Sequence, residues 1–460
     1  MKTTLRGSFQ PEKLNGTLFS LRARGYTGEV TMRTSGTATR MGVKSLPLHS
    51  ASLDAEIIVV AQLDLVLTPG PVSQAGTRNA GGDDAQLIVP FKAGNSYAIL
   101  QTDERGLSTW IFPNQVSPQE QVFTLVASSP ASGAGSRGVV TKTMRSLVSI
   151  ISWITDPVVG KAAKALTSQW EQRHRPYELL QVQSDGTCTL PDWKNFGAGP
   201  ALLLIHGTFS TPTVGFNGWL GKPAFQALME KYAGRVIALA HPSLSESPQE
   251  NVDWLIEQLP AHVVGDNVFD IVSHSRGGLL ARELSERVEA RLKIEKVCLV
   301  GTPNRGTPLA DIQHWTSFLN AHTSCLKIMP DTSVTVFLEG LLCLVKVIGS
   351  GLTQGLPGLA AMEPAHPLLA KASSGSHLID WYTVGAVFRA PIAGGMLARF
   401  KDAAIDRFFS ADNDLVVPSE GCHESVLLPV DSLLFTGEQV NHCNYFEAEA
   451  LHAKLLEWLK

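Results

Sequence analysis

The chain has no Cys-x-x-Cys pair. Its six cysteines, Cys188, Cys298, Cys325, Cys343, Cys422 and Cys443, are scattered through 460 residues. That spread argues against both a zinc site and a dense disulfide framework, and it makes reduced thiols the default. An excess of either charge is missing too. With 38 basic against 42 acidic residues the net charge is −4, and no run of like charge is long enough to form a tail, so nothing electrostatic points to nucleic acid or an anionic surface as partner. No apolar core follows the basic residues of the opening MKTTLRGSFQ, so a secretory signal is not expected and a cytoplasmic location is. A clean membrane-spanning run is also lacking. The most membrane-like stretch, residues 334–352, holds Glu339 and Lys346, each of which would cost about 2.5–3.5 kcal/mol near a bilayer centre. It reads better as a buried or groove-lining helix.

What is present is ample material for a core: 44% of residues are hydrophobic, and the length suggests two domains. Up to about residue 126 the pattern favours strands. Residues 29–32, 53–61, 86–90, 96–102, 109–112 and 120–126 are short, rich in β-branched or aromatic side chains, and separated by Gly, Pro, Asn and Asp clusters. No crossover helices separate them, so an antiparallel β-rich domain over residues 1–127 is expected, with no chemical constellation in it. Residues 70–84 are expected to form a mobile loop. The small-residue stretch 128–138 is the expected boundary, opening a segment of linker and connector helices over 128–199. Within it Met144, Leu147, Ile150, Ile151 and Ile154 recur at helical spacing up to Asp156-Pro157, and a more basic helix follows to about Arg175.

From Ala201 strand and helix alternate. Residues 201–205, 236–240, 268–273 and 297–301 are strand-like; 225–232, 251–259 and 279–292 are helix-like. Short connections between them argue for a parallel sheet covered on both faces, with any chemistry at the carboxyl ends of its strands. The centre of this pattern is Val268 to Arg282. An apolar strand turns sharply at Ser275 into a helix, with Gly277 and Gly278 letting helix and strand pass closely. This is the form of a nucleophile elbow, G-x-S-x-G, with Ser273 in place of the first glycine.

A serine hydroxyl needs a base, an orienting acid and a place for negative charge. For the charge, IHGTFS (205–210) leaves a strand in a turn where the backbone N–H of Thr208 is one candidate donor and that of Arg276, directly after the serine, the other. His206 reads as a turn-stabilising residue. For the base, His442 sits in the loop after the last expected strand, 432–435. Its rivals are His423, before that strand, and His452, inside the terminal helix. For the acid, Asp414 directly precedes the apolar Leu-Val-Val-Pro and is favoured over Asp412, two residues earlier. The chain order Ser, Asp, His is the one expected for an α/β sheet of this kind.

Taken together, IHGTFS, SHSRGG (273–278), GTPNRGTPLA (301–310), NDLVVPSEG (413–421) and NHCNYF (441–446) resemble the lipase-type α/β-hydrolases. The resemblance is to bacterial lipase-like proteins related to lecithin:cholesterol acyltransferase and the GPI inositol deacylases, and it covers about residues 200–460. It implies an α/β-hydrolase fold with a mainly parallel sheet, preceded by the β-rich domain. It also implies a helical cap over about residues 309–375, either a lid that binds acyl chains or a helix buried in a larger core. LPGLAAMEP (356–364) resembles the segment between cap and sheet. The implied activity is a serine carboxylic-ester hydrolase acting on small-molecule or lipid esters. It needs no cofactor and no metal; Ser275, His442 and Asp414 are the triad, with Thr208 and Arg276 at the oxyanion. An acyltransferase or a peptidase would use the same groups. A different kind of reading is an effector whose β-rich domain binds a protein partner and whose hydrolase part is regulated or inert. Contact with a membrane or micelle would run through the cap, and no nucleic acid is expected.

Overall fold

The computed structural model describes residues 1–33, 46–48, 57–69, 85–92, 94–104, 106–126, 143–154, 163–287, 292–326, 331–352, 355–370, 378–389, 412–423 and 428–460. The expected loop at 70–84 and the small-residue stretch at 128–138 lie outside these residues. So do the first four residues of the strand expected at 53–61. Two compact units emerge. Among the described residues one runs through residue 154 and includes Leu344–Leu352, and the other starts at Ala163.

The first unit holds two antiparallel sheets. Its strands are β1 (Lys2–Leu5), β2 (Glu12–Lys13), β3 (Ser20–Arg22), β4 (Tyr26–Met32), β5 (Ile58–Pro69), β6 (Gln86–Pro90), β7 (Asn95–Asp103), β8 (Ser108–Ile111), β9 (Gln115–Val116), β10 (Glu120–Thr124) and β11 (Met144–Ile154). One sheet is ordered β1-β4-β5-β11-β7-β8, the other β2-β3-β6-β10-β9. Inward residues at period two, among them Leu63, Leu65, Leu67, Leu87 and Val89, join one apolar cluster, as half-buried strands should.

The β11 strand corrects two expectations. Residues 144–154 are not a helix, and the β-rich unit does not end at 127: β11 pairs with β5 on one side and β7 on the other. The reason is burial on both faces. Nine of its eleven residues are buried, so the period-two signal is erased and a chance 3.6-residue spacing is left. Its serines are tied to neighbouring strands: Ser146, Ser149 and Ser152 accept from the side-chain amides of Gln101 (3.3 Å), Gln62 (3.1 Å) and Asn95 (3.1 Å). Polar residues that would break an apolar core are thereby satisfied.

The second unit is a three-layer α/β arrangement. Its sheet runs β13 (Cys188–Thr189), β12 (Glu178–Val182), β15 (Val236–Ala240), β14 (Gly199–Ile205), β16 (Asn267–His274), β17 (Lys293–Val300), β18 (Asp380–Phe388) and β19 (Asp431–Gly437). From β15 to β19 all pairings are parallel, while β12 is antiparallel to both its neighbours. The unit therefore begins well before residue 200, preceded by helix α1 (Ala163–His174), which answers to the basic helix expected there.

The central strands bury both faces. Leu202 and Leu204 join a cluster with α2 (Pro223–Lys231) and the terminal α7 (Glu449–Trp458). Ala201, Leu203 and Ile205 join another with α3 (Pro248–Gln258) and α4 (Gly277–Arg287). The capping box of Ser247 and Glu250 and the proline Pro248 start α3.

Between β17 and β18 the chain inserts α5 (Trp315–Cys325), α6 (Asp331–Gly349) and two short turns of helix at Pro357–Ala360 and Pro367–Ala370. Leu338, Leu341 and Leu342 of α6 are fully buried, and its Glu339 meets Arg175 at 2.7 Å. No helix among the described residues is long and apolar enough to cross a membrane.

The sheet also decides where a site can be. The chain leaves β14 to one side for β15 and returns to the other for β16, so the strand order reverses there. A crevice opens outside the carboxyl ends at such a reversal. The IHGTFS turn and the SHSRGG elbow both leave the sheet at that point.

Candidate active site

Ser275 follows the last residue of β16 with φ +53°, a left-handed conformation that a non-glycine residue adopts rarely. Its N–H donates to Val300 O at 2.8 Å, and its carbonyl accepts from Gly278 N–H at 2.9 Å. Glycine is required around it by contact. A Cβ on Gly277 would lie 2.3 Å from Ile205 O, one on Gly278 2.0 Å from Thr302 Oγ1, and one on Gly207 2.8 Å from Ser275 Cβ. Of the four non-glycine residues with positive φ among the described residues, three stand in the loops of this site: Phe209, Ser275 and Leu415. Strain of that kind persists where the surroundings over-determine the backbone.

The loops after β16, β18 and β19 bring three side chains together. Ser275 Oγ is 2.9 Å from His442 Nε2, and His442 Nδ1 is 2.8 Å from Asp414 Oδ2. All three residues are buried. Asp414 is fully satisfied: Oδ1 accepts from the N–H groups of Val416 (3.0 Å) and Val417 (2.7 Å), and Oδ2 also accepts from the Tyr445 hydroxyl at 2.8 Å. An ionised carboxylate only accepts, so the Nδ1 proton sits on His442 and its Nε2 lone pair faces the serine. Burial works to raise the Asp414 pKa, but the charge and hydrogen bonds of its partners hold it below the ordinary value. Burial works to lower that of His442, and Asp414 outweighs it, so the imidazole is held above its ordinary value. A carboxylate–imidazole pair so arranged can serve as orienting acid and base.

Asp412 is elsewhere. Its side chain is exposed and pairs with Arg389 at 3.4 Å. The rival histidines have partners of their own: His423 Nδ1 lies 3.0 Å from Thr383 Oγ1, and His452 Nε2 lies 2.7 Å from Phe446 O. His206 belongs to the turn, with Nδ1 donating to Gly207 O at 2.8 Å and Nε2 accepting from His241 N–H at 3.4 Å. Burial pushes its pKa down to about 3, so it stays neutral.

Thr208 and Arg276 flank the serine on the two turns. Among the described residues neither backbone N–H donates to a protein acceptor, although Thr208 is 5% exposed and Arg276 wholly buried. Buried donors are rarely left so. The next N–H, that of Phe209, is held by Ser243 Oγ at 3.2 Å.

Three neighbours were not singled out from the sequence. Tyr445 bonds Asp414 as above. His274 donates from Nε2 to His442 O at 2.9 Å, fixing the base from behind; burial keeps this ring neutral by pushing its pKa down to about 3. His322 on α5 lies with Phe318 and Phe209 in a wall whose His322 ring centroid is 6.1 Å from that of His442. For Tyr445 the signal was position alone, three residues after His442, and for His274 its place next to Ser275. For His322 it was only the spacing of four from Phe318 on one helix face.

A strand-order reversal topped by a strained serine elbow, with Asp414 and His442 on the loops after β18 and β19, is the arrangement of the α/β-hydrolase fold. More particularly, residues 171–460, well over half of the chain, match the model of the family described as Domain of unknown function (DUF7379), and the chain belongs to that family. No curated protein matches it. Solved structures similar to it include the mature lipase BlEst2 of Bacillus licheniformis, at 16% identity and TM-score 0.36 over 62% of this chain and 98% of that one. Lipase 1 from Pelosinus fermentans is similar at 11% identity and TM-score 0.39, over 57% and 99%. Phospholipase PlaB from Legionella pneumophila is similar at 12% identity and TM-score 0.40, over 57% and 60%.

Proposed function

We propose that this protein is a serine hydrolase that cleaves carboxylic esters of small molecules or lipids through an acyl-enzyme. Ser275 Oγ attacks the ester carbonyl while His442 Nε2 takes its proton. Asp414 holds the imidazole in the accepting tautomer and balances the imidazolium that forms, without itself being protonated. The carbonyl oxygen, now carrying charge, accepts from the N–H groups of Thr208 and Arg276, a stabilisation that grows only as the charge develops. His442 returns its proton to the leaving alcohol. Water then repeats the sequence on the acyl-serine and restores the enzyme.

The observation that carries this reading is the unbroken pair of hydrogen bonds, 2.9 Å and 2.8 Å, from Ser275 through His442 to Asp414. The aromatic wall of Phe209 and Phe318 favours an acyl or alkyl group beside the serine. A fluorophosphonate probe tests it, with a panel of p-nitrophenyl esters of rising chain length, with and without detergent. Labelling and turnover that vanish in Ser275→Ala are expected. Folded wild-type protein that is never labelled would favour the inert, partner-binding reading instead.

A further inference from the structure

We infer that Glu171, on helix α1, is a positioning residue for both oxyanion donors; this rests on the ester-hydrolase reading above. Glu171 is 1% exposed. Its Oε1 accepts from the N–H groups of Ser243 (2.6 Å) and Leu244 (2.9 Å), and its Oε2 from the N–H (2.8 Å) and hydroxyl (2.6 Å) of Ser245. Among the described residues no cation lies within ion-pair distance of it. A buried carboxylate without a direct counter-charge is expensive unless its hydrogen bonds are all met. Here the loop after β15 meets them.

That loop reaches each donor by a different route. Ser243 Oγ accepts from Phe209 N–H at 3.2 Å, pinning the left-handed residue that follows Thr208. Leu244 O accepts from Gly358 N–H at 3.0 Å, and Gly358 O accepts from Arg276 Nε at 3.1 Å. The Arg276 guanidinium also donates to Glu246 O and to Asn251 Oδ1. The fit is close: a Cβ on Gly358 would lie 2.1 Å from Ser243 O. One carboxylate thus sets a loop whose two arms hold the turn bearing Thr208 and the side chain of Arg276. Burial lowers the Arg276 guanidinium to about 10, and Glu171 is the first of the charges that oppose this. Charge and geometry run along the same line.

Glu171→Gln keeps the shape but turns an NH2 toward backbone N–H groups that cannot reorient. The experiment counts active sites by fluorophosphonate titration, then measures turnover of two p-nitrophenyl esters per titrated site, inhibition by an alkyl boronic acid, and thermal stability. Expected is a fall in kcat per titrated site of about 10- to 100-fold, short of the ~10²–10³ for outright loss of a donor. KM should move by less than about threefold, boronate affinity should fall in step with kcat, and the acid limb of the pH profile should stay in place. Ser243→Ala should give part of the loss. The double variant should be no worse than the stronger single one, because both act through one loop. Wild-type kcat per titrated site in Glu171→Gln, whatever its melting temperature, overturns the inference. Should that variant not fold, wild-type kcat in Ser243→Ala overturns it equally. Wild-type protein that is not labelled, or whose labelling survives Ser275→Ala, overturns the hydrolase reading and this inference with it.

Discussion

Replacing Asp414 by Asn tests the wiring of the site most directly. Each carboxylate oxygen takes two donors: Oδ1 from Val416 and Val417 N–H, and Oδ2 from His442 Nδ1 and the Tyr445 hydroxyl. Asparagine offers one oxygen and one NH2. With its oxygen toward the two backbone N–H groups, which cannot turn away, its NH2 confronts His442 and Tyr445. His442 relieves the clash by moving its proton to Nε2, which then points at Ser275 Oγ, and the hydroxyl loses its base. The expected fall in kcat is about 10⁴-fold, or roughly 5 kcal/mol of barrier, with little change in KM. Turnover of p-nitrophenyl acetate per folded molecule, with circular dichroism as a check on folding, measures it. Asp412→Asn is the control. Its partner Arg389 is 3.4 Å away, and both side chains are more than half exposed, so solvent screens the pair and kcat should stay within about twofold. An Asp414→Asn enzyme that keeps more than a tenth of wild-type kcat, or an Asp412→Asn enzyme that matches its loss, would refute the reasoning.

Because Asp414 holds His442 above its ordinary value, kcat/KM should fall on acidification with a midpoint above about 6.5; a midpoint below that contradicts the proposed base. Stability should also fall with acid. His206, His274 and His322 are pushed down to about 3, chiefly by burial, so below about pH 6.5 the unfolded chain binds protons that the folded one refuses. The loss is about 1 kcal/mol per histidine for each pH unit. His442 acts in the opposite sense, its contribution being full below the unfolded value and lost as pH rises through the folded one, but it is one group against three. Urea midpoints at pH 7.5, 6 and 5 should decline in order, and a flat series would be evidence against buried neutral rings. Gly277→Ala should cost about 3 kcal/mol or more, since its Cβ would meet the carbonyl oxygens of Ile205 and His206 at 2.3 and 2.5 Å. Gly265→Ala, with nothing within 4 Å, should be neutral or stabilise by about 0.5–1 kcal/mol. Denaturant midpoints compare the two.

The elements that surround Ser275 were legible because each carries a local signature. A buried parallel strand such as Phe269–Val272 reads as an apolar run, paired glycines mark where a helix must touch it, and an aspartate before Leu-Val-Val-Pro has backbone N–H groups ready two and three residues on. What was not legible depends on partners distant in sequence. The β11 strand lacks the alternation of a strand because both its faces are buried, and only its pairing with β5 and β7 identifies it. The edge strand β13 and its neighbour β12 are short, and their place in the α/β sheet follows only from the pairing of β12 with β15. Nothing local to its helix marks Glu171, whose role as acceptor for the 243–245 loop exists only once α1 packs there. The surroundings of α6 depend on contact as well. Gly340 lies against Phe209, where a Cβ would be 2.9 Å from the Phe209 Cβ, so the helix supports the turn from behind.

These contacts explain why the strain sits where it does. The Phe209, Ser275 and Leu415 backbones are each left-handed, and each N–H is held: Phe209 by Ser243, Ser275 by Val300 of the neighbouring strand, and Leu415 by the side chain of Asn413 in its own loop, which accepts at 2.9 Å. Relaxing any of them would move a group that the proposed mechanism uses, since Thr208, Arg276 and Asp414 are their immediate neighbours in sequence. The sheet brings the loops to one crevice, but a crevice alone leaves the donors free to find other partners. On the proposed mechanism, the held backbone, with Glu171 behind the 243–245 loop, leaves the Thr208 and Arg276 N–H groups for the oxyanion and the Ser275 hydroxyl against His442. Such preorganisation lowers a barrier because it is complete before the substrate arrives.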